Sequence, residues 1–99
     1  MTPEPEGLSD RRAHAQDTLI DFLFADLDLC FTMLDAAYIT HDPEHRRLAL
    51  DKVLAGIRVV RSLAERIENP EARQAVYDGA NELEQAACRT ERASGIKDR

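Results

Sequence analysis

Between residues 19 and 39, apolar side chains recur every seven positions in several registers at once. Ile20, Leu27 and Leu34 form one row, Leu23, Cys30 and Ala37 a second, and Phe24, Phe31 and Tyr38 a third. Asp21, Asp28 and Asp35 form a polar row. Residues seven apart lie almost on one face of an α-helix, drifting by about 20° per heptad. Phe22, Leu29 and Ala36 widen the apolar surface on one side, Leu19 and Met33 on the other. The pattern predicts a long first helix from about Ser9, its N-cap, to about Thr40. A restart near Asp17 is allowed, because Arg11 to Gln16 lacks large apolar residues. A helix in a three-helix monomer needs an apolar stripe of about 100° or a little more. This one is polar only along the aspartate row, so it is expected to be central in the fold or to pack against a second chain.

The next two helix starts are written in the same grammar. Asp42-Pro43-Glu44 and Asn69-Pro70-Glu71 each read as a cap, a proline at the first helical position and a first-turn acid. The cap oxygen accepts from N–H groups that lack a helical partner, proline loses no needed donor there, and the acid favours the positive helix end. A residue before proline avoids helical geometry, so the preceding helix must stop. Connections of about one to four residues follow, and connections that short make neighbours antiparallel. The start motifs, 27 residues apart, diverge within two turns and are not a structural repeat.

The second helix is expected over residues 43–68. Leu50, Ile57 and Ala64 form one heptad row and Val53, Val60 and Ile67 another, with Leu54 and Leu63 beside them and Val59 off the stripe. The third, over 70–92, has a stripe of small residues: Ala72, Val76, Gly79, Ala80, Leu83, Ala86 and Ala87. Small residues bury little area, so this helix should be the least stable. The expected architecture is all-α, an antiparallel three-helix bundle over 9–93. A disordered tail (1–8) precedes it and a frayed end (94–99) follows.

The segment from Asp28 to Leu63 resembles one tetratricopeptide-type helical hairpin. An apolar helix, a turn at Thr40-His41-Asp42-Pro43-Glu44 and a second helix with Leu50 and Val53 carry the resemblance. Leu34 stands where that family has a small residue, and Arg46 where it has alanine. One hairpin covers about a third of the chain, whereas a solenoid needs about three repeats. The resemblance implies a scaffold or adaptor for protein partners and brings no catalytic residue with it.

Composition narrows the function. The chain has 99 residues, 13 Lys and Arg against 19 Asp and Glu, and a net charge of −6. Residues 1–40 hold two cationic and eight acidic side chains, which accounts for the whole surplus. An acidic chain is a poor ligand for nucleic acid, which is bound mainly through cations. Asp21, Asp26, Asp28 and Asp35 interrupt the most apolar stretch, so no membrane span is expected. The start lacks the cationic and apolar regions of a secretory signal, and a cytoplasmic protein is expected. Cys30 and Cys88, 58 positions apart, are read as buried small hydrophobes.

Catalytic motifs are missing. There is no GxGxxG, Walker sequence, GxSxG, HExxH or Glu-x-x-His. His41 and His45 are four apart, but Pro43 and the cap between them break the helical register, so no metal site is expected. Successive members of the Asp21, Asp28 and Asp35 row lie about 10.5 Å apart on a helix and cannot share an ion. His14 lacks the surroundings of a phosphotransfer histidine and reads as a surface residue. A non-catalytic interaction or regulatory module without a cofactor is the expectation, with self-association into a homodimer through the first helix, or another protein partner. Phe24, Phe31, Tyr38, Leu27 and Leu34 are its packing or interface anchors. Arg47, Arg58 and Arg61 are the salt-bridge partners for acidic surfaces. The alternative is a small ligand-binding bundle with a pocket near Cys30, Met33, Tyr38 and His41.

Overall fold

The computed structural model describes residues 3–94, with side chains from Asp10 to Arg92. Three helices follow in order: α1 (Pro3–Ile39), α2 (Pro43–Ala64) and α3 (Pro70–Ser94). Each packs against both others, giving the antiparallel three-helix bundle read from the sequence. The heptad rows become its core. Leu23, Leu27, Cys30, Leu34 and Ala37 of α1 meet Leu50, Val53, Ile57, Val60 and Ala64 of α2 and Val76, Ala80, Leu83 and Ala87 of α3. Burying each large aliphatic side chain contributes about 1.5–3 kcal/mol.

Both proline-led starts form as written. Asp42 Oδ1 accepts from the N–H groups of Glu44 and His45 at 3.0 and 3.4 Å. Asn69 Oδ1 accepts from those of Glu71 and Ala72 at 2.8 and 3.0 Å. The shared grammar extends one step further. An arginine four residues after each cap reaches back to the chain before it. Arg46 donates to the carbonyls of Ala37 and Thr40, and Arg73 donates to that of Ile67 at 2.8 Å. The last turn of α1 has no basic residue of its own, so Arg46 supplies the cation that the negative helix end favours. This is the position where the tetratricopeptide pattern has alanine.

Two boundaries differ from expectation by several residues, and the restart that the sequence allows does not occur. α1 begins at Pro3, not at Ser9, which lies within the helix. Proline is preset for the first helical positions, where no partner for its missing N–H exists. α1 also passes Asp17 without a restart, because its amino-terminal half is tied to the α2–α3 turn. Gln16 donates to Arg66 O at 3.1 Å and accepts from Glu68 N at 2.8 Å, and Arg12 pairs with Glu68 at 2.8 Å. α2 stops at Ala64, not at residue 68, and the connection is correspondingly longer. Its end tightens through bonds from Arg66 N to Leu63 O and from Ile67 N to Ala64 O. Ile67 leaves the helix but stays buried in the core. Of the expected frayed end, all but Ser94 lies outside the described residues, as do residues 1–2 of the expected tail.

Candidate functional site

α1 carries two heptad seams on opposite faces. The inner one supplies the core. The outer one runs through Phe22, Ala25, Leu29, Thr32, Ala36 and Ile39, alternating by three and four residues, and all six are exposed. None carries a charge. Thr32 donates its hydroxyl to Asp28 O at 3.1 Å, so its polar group is satisfied within the helix. Of the two expectations for α1, the single chain does not bury it on all sides: its outer seam is exposed as well as its aspartate row. α2 and α3 cover one side of α1, and its outer seam faces solvent beside Asp21, Asp28 and Asp35.

α2 continues this surface. A Cβ on Gly56 would approach Cys30 Sγ to 2.7 Å, and one on Gly79 would approach Leu27 Cδ1 to 2.9 Å. Cys30 thus points at α2 and Leu27 at α3. Leu29 lies one residue, about 100°, from Cys30 on the side away from Leu27. On α2, Arg61 reaches α3, bonding Asn81 and Glu84 at 2.6 Å. Val59 and Leu48 lie beyond Gly56, on the side away from Arg61. Phe22 and Leu29 of α1 and Leu48 and Val59 of α2 therefore border one face of the α1–α2 hairpin. Phe22 is 52% exposed, Leu29 55%, Leu48 55% and Val59 49%.

The anchors read from the sequence divide. Leu27 and Leu34 are core residues. Phe31 is half-buried against the core, while Phe24 and Tyr38 are exposed. The aromatic row follows the opposite edge of α1, beside α3. There Phe31, Leu34, Asp35 and Tyr38 line an open groove of about 470 Å³ with Ala86, Arg89 and Thr90. Of the pocket residues expected from sequence, only Tyr38 lines it. Cys30 is buried at the Gly56 crossing, Met33 packs on the core edge and His41 is exposed in the turn.

Cys88 is exposed and not buried as read. It follows the buried Ala87 by one residue, a 100° step off the narrow α3 stripe. Burial, and secondarily the charge of Asp26, raises the Cys30 thiol above its ordinary pKa. Of the arginines singled out from sequence, Arg61 makes its ion pair with Glu84, and Arg47 and Arg58 are exposed. Among the described residues no three His, Cys, Asp or Glu side chains are grouped to hold a metal ion, and no helix is long and apolar enough to cross a membrane. Leu48, Val59 and Ile39 were not singled out as site residues. Val59 alone had left a signal, as an apolar residue off its stripe. Comparison with protein-family models, with curated proteins and with solved structures returns no match.

Proposed function

We propose that this chain is a non-catalytic interaction module of the cytoplasm, a small scaffold or regulator that docks a protein partner on the α1–α2 face. One observation carries the reading: an uncharged heptad seam stays in solvent on a helix whose opposite seam is already satisfied by the core. An exposed apolar strip bordered by charge is the usual form of a docking surface. The resemblance to a tetratricopeptide hairpin points the same way. A photo-crosslinking residue placed at Leu29 should give a discrete protein adduct in cells, and one at the exposed Gln85 of α3 should not. No adduct at position 29, or equal adducts at both positions, would overturn the reading.

The groove beside α3 supports a second reading, a small helical ligand-binding protein. Its Phe31, Leu34 and Tyr38 surface with Arg89 at the edge suits an amphiphilic molecule. Native mass spectrometry of the purified chain would show a bound small molecule, lost on Tyr38→Ala. A chain that carries nothing would remove this alternative.

A further inference from the structure

We propose that the α1–α2 face is closed by a second copy of this chain, with α1 of each copy lying along α2 of the other. This rests on the interaction-module reading and names its partner. Charge selects the occupant. Along the strip α1 exposes Asp21, Asp28 and Asp35 and no cation, whereas α2 exposes Arg47, Lys52 and Arg58 against Asp51, its Arg46 and Arg61 being held within the chain. Laying α1 on α1 would oppose two acidic helices. Laying α1 on α2 opposes unlike charge, twice over in a two-fold pair.

The register is set by the Cys30–Gly56 crossing. Because α1 and α2 are antiparallel, two residues forward on α2 stand level with two residues back on α1. Asp28 is therefore level with Arg58, and both are exposed. A two-fold axis along the helices preserves these levels. It exchanges the outer edges of the hairpin and brings Asp28 beside Arg58 of the second copy. At the level of Asp35 stands Asp51, with Lys52 next to it and Arg47 one turn away, so the local balance there is still positive. Asp21 stands level with Glu65 and gains nothing. The pairing rests on Asp28 and Arg58.

Shape agrees. Ala25, Ala36, Ala55 and Ser62 are exposed between the larger Phe22, Leu29, Leu48 and Val59, which leaves room for knobs from a facing helix. From Phe22 to Ile39 the seam rises about 25 Å. A strip that long and two helices wide, about 20 Å, covers roughly 500 Å² on each copy. That is below a standard interface, so the pair should be reversible, with dissociation in the micromolar range.

Sedimentation equilibrium of the full chain from about 1 to 200 µM spans that range. The wild type should pass from monomer to dimer. Leu29→Glu should be monomeric, with a thermal melt equal to that of the wild type at dilutions where the wild type is also monomeric, because Leu29 faces solvent in the single chain. Asp28→Arg and Arg58→Asp should each weaken dimerisation by about tenfold or more, and the double charge swap should restore it to within about threefold. A tighter dimer in Asp28→Arg would mean α1 pairs with α1, and would overturn the proposal. So would a swap that rescues nothing, or a dimer indifferent to Leu29→Glu. A wild type that is monomeric throughout also overturns it. In that case an adduct between position 29 and a different polypeptide would leave the interaction-module reading standing, whereas no adduct would remove both.

Discussion

Replacing Gly56 by alanine adds one methyl group where α2 passes close to Cys30 of α1. That carbon would stand 2.7 Å from Cys30 Sγ, where unbonded heavy atoms settle at about 3.5–4.0 Å. Roughly an ångström of room must be made. Cys30 is buried, and staggered rotamers in a helix leave its sulfur few alternatives. Two effects compete. Alanine is favoured over glycine in a helix interior by about 1 kcal/mol. Overpacking a well-filled core typically costs about 1–3 kcal/mol. The crowding should win, for a net loss of about 1 kcal/mol.

The two terms can be separated. In a Cys30→Ala background the obstructing sulfur is gone, and only the helix preference remains. There Gly56→Ala should stabilise by up to about 1 kcal/mol, giving a coupling energy near 2 kcal/mol. The assay is urea unfolding followed by far-ultraviolet circular dichroism, at one protein concentration for all four chains. A net change of 1 kcal/mol corresponds to roughly 4–8 °C in melting temperature for a domain of this size. If Gly56→Ala stabilises the protein equally with and without Cys30, the two helices do not cross this closely. The register argument for the dimer would then lose its anchor.

Asp42→Ala and Asn69→Ala should each destabilise by about 1 kcal/mol in the same unfolding assay, since each removes an oxygen that accepts from two N–H groups at a helix start. Phe31→Glu should cost about 2–4 kcal/mol, because it sets a charge against the core, while Phe22→Glu, in solvent, should leave the melt of the monomer nearly unchanged. With a thiol reagent near neutral pH, Cys88 should react at once and Cys30 only as the chain unfolds. The raised Cys30 pKa means that the native state holds the thiol proton more tightly than the unfolded chain. Its contribution to stability is complete below the ordinary value of 9.0 and is lost as pH rises through the native value. The urea midpoint should therefore fall at alkaline pH in the wild type by more than in Cys30→Ala.

Much of this fold can be read along the chain because local rules decide it. A cap followed by proline and an acid starts a helix wherever it occurs, as Asp42 and Asn69 show. The heptad rows of α2 and the narrow stripe of α3 admit one inward face each, and the structure turns those faces to the core. α1 is different. It offers apolar rows on nearly every side, and periodicity cannot say which of them the neighbours will cover. That choice falls to the width and placement of α2 and α3. Their glycines, Gly56 and Gly79, let Cys30 and Leu27 approach closely and so fix the rotation of α1. Leu27 and Leu34 go inward, the aromatic row is left along the α3 edge, and Phe22 and Leu29 stay in water.

The same division holds at the ends of elements. The end of α2 at Ala64 is invisible in a heptad row that continues to Ile67, because that residue reaches the core from a tightened turn as well as from a helix. The unbroken passage of α1 past Asp17 depends on Gln16 meeting the backbone of the α2–α3 turn, some fifty positions away. The sequence by itself determined three helices, where two of them start and the inward rows of α2 and α3, since those follow from spacing, capping and proline geometry within a few turns. Only the tertiary structure decided which face of α1 is core and which is left for a partner, because that depends on how much of one helix two others can cover.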